Sequence, residues 1–238
     1  LIDRAFVFCP KEELQREVIS SLQFILRILK ILHFKFKFVL SSSRREKQKE
    51  KEALSQLEEA LKTCGVSYTR GKTSSERSGP AIEVRIEDGM GQEWTGSFIE
   101  INCRPKSVKE EIISLSLFNS LERGIALLLE NKGGEIPLWL APVQVELLGV
   151  EEEAYAKEVF AFLQKAGVRV ELDLRGEKLA KRMHEALRKK TPWLVLVGER
   201  EKNSKLISIR SCNSSETEEI NVDGFIQKVM TKTQEELA

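Results

Sequence analysis

The sequence predicts an α/β protein in two parts, on three observations. Strand and helix patterns alternate over roughly the last hundred residues, the signature of a compact α/β sandwich. An antiparallel hairpin, Ala81 to Glu87 and Gln92 to Cys103 around a turn at Asp88-Gly89, lies in the first part. Gly133-Gly134, within Asn131 to Glu135, punctuates the chain between them. Domains are therefore expected over residues 1–135 and 136–238, in keeping with about 150 residues per domain for a chain of 238.

Each element has a local reason. Ile2 to Cys9 reads as a short strand. Pro10 suits a first helical turn, and Glu12 and Glu13 favour its positive end. Leu14, Val18, Leu22, Ile25, Leu29 and Leu32 recur at three and four, which makes a long amphipathic helix. Phe34 to Leu40 alternates as a half-buried strand with Lys35 and Lys37 turned away from the Phe face. Ser41-Ser42-Ser43 is a breaker and a candidate N-cap. The charged run Arg44 to Glu52 then opens a helix that continues through Leu54, Leu57 and Leu61 and stops at Gly65. Val66 to Thr69 and Ile112 to Leu117 read as strands, Arg70 to Gly79 as a polar loop, and Ser120 to Glu130 as a helix. Beyond the boundary, Val143–Leu148, Val168–Leu172, Trp193–Val197 and Leu206–Arg210 read as strands. Glu151–Ala166, Glu177–Lys190 and Val222–Thr231 read as helices.

Composition sets limits on function. The 38 Lys and Arg against 37 Asp and Glu exclude a wholesale polybasic binder, but not a local basic face. No apolar run approaches the roughly 18 residues of a membrane span. The chain opens on Leu, with no basic segment or small-residue cleavage site of a secretory signal. The four cysteines, Cys9, Cys64, Cys103 and Cys212, form no C-x-x-C pair, so reduced thiols in the cytoplasm are expected and a Cys-built zinc site is not. With only His33 and His184, chemistry that needs several histidines is excluded.

Phosphate-loop, dinucleotide, zinc-protease and serine-hydrolase motifs do not occur. Two features stand out. Glu122-Arg123 opens an otherwise apolar helix. A satisfied structural pair is the default there, but an arginine so placed can also stack on a planar ring. The helix beginning near Glu177 carries Lys178, Lys181, Arg182, Arg188, Lys189 and Lys190, which is either an ordinary exposed face or a phosphate-contacting one.

The stretch Pro137-Leu138-Trp139-Leu140-Ala141-Pro142-Val143-Gln144-Val145 resembles the junction of the catalytic and anticodon-binding domains of threonyl-tRNA synthetases. Ser120-Leu121-Glu122-Arg123 is similar to the end of their motif 3. Ala166-Gly167-Val168-Arg169-Val170, Asp173 to Leu179, Leu194 to Glu201 and Ile207 to Arg210 follow collinearly. The resemblance implies a partial class II catalytic domain, built on an antiparallel sheet, followed by an anticodon-binding-like α/β domain. Motif 1 and the amino-terminal and editing domains lie outside it. The family activity is ATP-dependent activation of threonine and its transfer to tRNA.

Carried over residue by residue, the catalytic pocket departs from the family. The family's Asp-Asp-Ala-His before Phe-Cys is Asp3-Arg4-Ala5-Phe6 here, so the carboxylate for the amino group is Arg4 and a zinc ligand is Phe6. The second zinc histidine aligns with Ser114, and the third ligand and the motif 2 arginine fall before Leu1. Ala-Phe-Tyr-Gly-Pro-Lys is Glu76-Arg77-Ser78-Gly79-Pro80-Ala81, and the substrate-facing strand runs Trp94-Thr95-Gly96-Ser97-Phe98-Ile99-Glu100. Only Arg123 matches, as the motif 3 arginine that packs on adenine. Zinc is therefore expected to be absent, and ATP with magnesium only if the chain is an enzyme after all. Reversing a charge about 4 Å from a substrate ammonium shifts its binding by roughly 8 kcal/mol before screening, at an effective dielectric near 20.

The second domain keeps more. Glu201 and Arg210 match family positions that read anticodon bases, whereas Gly176 stands where the family usually has Asn. The expected RNA-binding set is Glu201, Arg210, Lys178, Lys181, Arg182, Arg188 and Lys189. The leading expectation is a synthetase-related protein that does not aminoacylate and that binds tRNA or another structured RNA. Its rivals are an active ligase or a fragment of one, and an interaction scaffold or accessory subunit. A protein partner or a homodimer could use the surface left without motif 1, and no membrane is involved.

Overall fold

The computed structural model describes residues 1–42, 48–72, 77–103, 110–214 and 216–237. Ser43 and the start of the charged run, and parts of the loops expected after Arg70 and Asn102, lie outside them. The chain divides into two compact units, Leu1–Gly133 and Gly134–Ala238.

In the first unit, β1 (Ala5–Cys9) leads through a short turn at Lys11–Glu13 into α1 (Leu14–Ile31). Then come β2 (Phe36–Ser42), α2 (Gln48–Thr63), β3 (Tyr68–Lys72), β4 (Ala81–Glu87), β5 (Glu93–Ile101), β6 (Glu111–Ser116) and α3 (Leu121–Asn131). The six strands make one sheet in the order β1-β6-β5-β4-β2-β3. All neighbours are antiparallel except β2 and β3, which run parallel across the α2 crossover. α1 and α2 cover one face, where Val18, Leu22, Ile25, Leu29, Leu57 and Leu61 are buried with Ile82, Ile86, Ile99 and Ile113.

Period-2 alternation sends the remaining side chains of these strands to the opposite face. One irregularity shapes that face. Glu83 pairs with Phe98 but Arg85 pairs with Thr95, so two residues of β4 span three of β5. This bulge lets Thr95 and Phe98 border the same pocket. Gly79 is required where the chain enters β4, because a Cβ there would lie 2.1 Å from the Ile101 carbonyl oxygen.

In the second unit, β7 (Val145–Gly149), α4 (Glu153–Lys165), β8 (Val170–Asp173), α5 (Leu179–Arg188), β9 (Trp193–Val197), α6 (Glu199–Ser204), β10 (Ile207–Ser211), β11 (Glu218–Ile220) and α7 (Val222–Leu237) follow in order. The sheet order is β11-β10-β9-β7-β8, parallel through β9-β7-β8 and antiparallel at β10 and β11. α4 and α7 close one face over Val145, Leu147, Val195, Val197, Ile207 and Ile209, with Trp193 edge-on to Phe225 at 5.7 Å. α5 lies over the other face, where Ala186 packs on Leu148 and Leu194. The short α6 and β11 are not among the elements expected from sequence. α6 is a single capped turn and β11 has three residues, each too short for a periodic signal.

Candidate functional site

The open face of the first sheet holds a pocket of about 420 Å³. The Phe98 ring, 1% exposed, lines it. The Arg77 guanidinium lies 4.2 Å from the ring centroid and that of Arg4 5.3 Å away. Arg77 Nε donates to Glu83 at 3.0 Å, and its Nη1 stands 3.7 Å from Glu100, with all three side chains at most 10% exposed. Arg85 takes the other Glu83 oxygen at 3.0 Å and donates to Thr95 Oγ1 at 2.8 Å. Arginine side chains thus occupy both buried carboxylates. In the sequence Arg77 stands out only as a departure from the family, and no periodic signal foretells its insertion here.

Arg123 sits in the first turn of α3, where Ser120 caps by accepting its backbone N–H at 3.3 Å. Its guanidinium lies 5.4 Å from the Trp94 ring. Trp94 is held in turn by Asp88, which accepts the indole N–H at 2.7 Å and the backbone N–H groups of Met90 and Gln92. That indole hydrogen bond holds the Asp88 carboxyl below its ordinary range. The ring on which Arg123 stacks is therefore the protein's own, and Glu122 is bonded to Ser120 rather than to Arg123.

A zinc ion needs at least three nitrogen, thiolate or carboxylate ligands. This pocket offers Arg4, Phe6 and Ser114, and its two carboxylates hold arginines. Among the described residues no three His, Cys, Asp or Glu side chains gather as a metal site requires. The donor set does not fit zinc.

In the second unit the expected RNA-binding residues fall into distinct environments. Arg182 is 3% exposed. It donates to the backbone carbonyls of Gly149, at 2.9 Å, and of Asp173, and its Nε stands 3.2 Å from the Asp173 carboxylate. This is a correction to the expectation that it faces RNA: Arg182 pins α5 to the carboxyl ends of β7 and β8. Lys181 is paired with Glu177 at 2.6 Å and with Glu185 at 3.9 Å. Lys189 bonds the buried Glu146 at 2.9 Å and lies 3.5 Å from Glu171. Arg175, outside the expected set, bridges Asp173 and Glu185 at 2.8 Å each. These contacts hold Asp173 and Glu185 below, and Lys181 and Lys189 above, their ordinary ranges.

Three expected cations remain without a carboxylate within 4.0 Å among the described residues: Lys178, Arg188 and Arg210. Arg210 uses only its Nε, donating to the Ser214 carbonyl at 2.8 Å. Glu201 accepts the Gly198 N–H at 3.0 Å and the Ser208 hydroxyl at 2.8 Å. Ser208 and Arg210 are two residues apart on one face of β10, about 7 Å along the strand. Glu201, on α6, thus bonds β10 two residues before Arg210. Arg210, Leu194, Glu146 and Glu171 lie in one register row across four strands, and Lys189 reaches that row from the end of α5. Lys178 stands at the other end of α5, roughly 15 Å away at 1.5 Å per residue. It borders a cleft of about 530 Å³ with Gly149, Leu174 and Gly176, at the carboxyl ends of the parallel strands.

Comparison with known proteins places this architecture. Residues 140–232 match the family model of the anticodon binding domain. The threonine–tRNA ligase of Francisella tularensis subsp. novicida (strain U112) is 31% identical over a 243-position alignment that covers 94% of this chain and 38% of the relative. The ligase of subsp. mediasiatica (strain FSC147) matches to the same extent. The chain thus spans well under half the length of these relatives. The crystal structure of the RNA binding domain of threonyl-tRNA synthetase from Cryptosporidium parvum Iowa II superposes with a TM-score of 0.86 and 25% identity, covering 97% of this chain and 63% of that one. A putative threonyl-tRNA synthetase from Aeropyrum pernix shares the fold, with a TM-score of 0.73 at 17% identity, over 99% of this chain and 63% of that one. By sequence the chain is similar to threonine–tRNA ligases along almost its whole length, and its second unit matches the anticodon binding domain.

Proposed function

We propose that the protein binds tRNA, or another structured RNA, through its second unit and does not itself aminoacylate. The observation that carries the first half is the match of residues 140–232 to the anticodon binding domain, together with the bond of Glu201, on α6, to Ser208, two residues from Arg210 on β10. Arg188 and Lys178 supply sequence-independent phosphate contacts, which position the RNA, while Glu201 and Arg210 meet bases. The basic helix contributes less charge than its composition suggests, since Glu177, Glu185, Glu146 and Glu171 offset Lys181, Arg175 and Lys189.

The second half rests on the first unit. A threonine ammonium would meet the guanidinium of Arg4 in a pocket where Arg77 already satisfies both carboxylates. Like charge at that place opposes the ground state and every later state of amino-acid activation. None of the four cysteines is in a disulfide, which fits a reducing, cytoplasmic setting, and no helix among the described residues is long and apolar enough to cross a membrane.

Two assays test the reading together. Threonine-dependent exchange of pyrophosphate into ATP is expected to stay at background, and exchange above background would restore the ligase reading. Filter binding of tRNA is expected to be salt-sensitive and weakened by Arg210→Ala. A chain that retains no RNA but co-purifies with a protein at fixed stoichiometry would instead support a scaffold.

A further inference from the structure

The pocket of the first unit carries a charge imbalance that the RNA reading does not use. Glu83 and Glu100 are matched by Arg77 and Arg85. Arg4, Lys72 and Arg123 border the same cavity with no carboxylate within 4.0 Å among the described residues. Three positive charges therefore face about 420 Å³ of space.

A second, independent observation lies on the pocket floor. Ser114 Oγ is buried, the residue being 6% exposed, and has no hydrogen-bond partner. A buried hydroxyl left unmade is costly, and one that borders a cavity is a donor awaiting an acceptor. Ser114 pairs with Phe6 on β1 and with Glu100 on β5, so it stands in the register row beside Phe6, two residues from Arg4. Phe6, 54% exposed, gives the same cavity an apolar wall.

We infer that this pocket binds a phosphomonoester dianion. The planar guanidinium of Arg4 matches two phosphate oxygens, and the Ser114 hydroxyl donates to the phosphate group. Arg123 and Lys72 favour a ligand with more than one negative charge over a monocarboxylate. The Phe6 ring favours an ester with an apolar body over the inorganic ion. The same charges disfavour an ammonium-bearing ligand. This inference is independent of the RNA reading, because its residues all belong to the first unit.

Isothermal titration of the full chain with phenyl phosphate at fixed ionic strength tests it. One equivalent should bind, at least tenfold more weakly after Arg4→Gln and severalfold more weakly after Ser114→Ala. Lys157→Ala, on α4 of the second unit, should leave the affinity unchanged. Ser114→Ala removes a single hydroxyl and serves if Arg4→Gln impairs folding. Absence of one-to-one binding, affinity unmoved by Ser114→Ala, or equal loss with Lys157→Ala would overturn the site. Inorganic phosphate bound as tightly as the phenyl ester would overturn the assignment of an ester.

Discussion

The Arg182 guanidinium and the Asp173 carboxylate lie 3.2 Å apart beneath α5, with side chains 4% and 8% exposed. Arg182 also satisfies the Gly149 and Asp173 carbonyls. Removing one partner of a buried pair leaves the other uncompensated, at a cost of about 3–5 kcal/mol. Because Arg175 still holds Asp173, the lower figure applies to Arg182→Ala. Urea unfolding of the second unit should shift accordingly. RNA affinity of the folded fraction should change less than twofold. An Arg182→Ala protein of parental stability that binds RNA tenfold more weakly would put this side chain on the docking face after all.

The same cluster makes the second unit acid-sensitive. Arg175 foremost, and Arg182 after it, hold the Asp173 carboxyl below its ordinary range. Unfolded, the group titrates near pH 3.9. Between the two values the unfolded chain binds more protons than the folded one, so stability rises with pH there. The contribution is complete above the unfolded value and is lost as pH falls through the folded one. The stability gap between parent and Asp173→Asn should therefore be constant from pH 5 to 7 and shrink as pH drops towards 2. A gap of equal size at pH 7 and pH 2.5 would refute it.

Much of this fold was readable because its signals are periodic. Leu14 to Leu29 at three and four gives α1, and the uniformly apolar Leu194, Val195 and Leu196 give a strand covered on both faces. The polar chemistry was less legible. A tally of Lys and Arg along α5 passes over Glu177 and Glu185, each four residues from Lys181, although that spacing was visible in the sequence. The partners of Lys189 and Arg182 come from β7 and β8, roughly 40 and 10 residues upstream, and no local pattern connects them. The place of Arg123 at the start of a helix suits stacking on a ring, but that the ring is Trp94 depends on a turn built around Asp88.

Partition of the basic residues predicts a partition of binding. Lys178→Ala and Arg188→Ala should each weaken tRNA binding across unrelated sequences and reduce the salt slope by about 1. Lys181→Ala should do less, since its charge is shared with Glu177 and Glu185. Lys189→Ala should act through stability, leaving Glu146, 2% exposed, with only the Thr191 hydroxyl at 3.4 Å among the described residues. Binding isotherms at three salt concentrations, alongside thermal melts, separate these effects. Equal slopes for all four variants would mean that the ion pairs do not govern docking.

Arg77 is the comparable anchor of the first unit. Its guanidinium covers the Phe98 ring and meets Glu83 and Glu100. Among the described residues, Arg77→Met keeps much of the apolar contact but leaves Glu100 with only the Ser78 backbone N–H, and Glu83 with Arg85 and the Ser41 hydroxyl. The first unit should lose about 3 kcal/mol, as expected when a buried pair is broken from one side. Glu100→Gln in the same chain removes the stranded charge, so the double variant should recover part of the loss. A coupling energy of about 1 kcal/mol or more is expected from the cycle. Strict additivity would show that the 3.7 Å separation of Arg77 from Glu100 is too long to matter and that Glu83 alone seats the arginine.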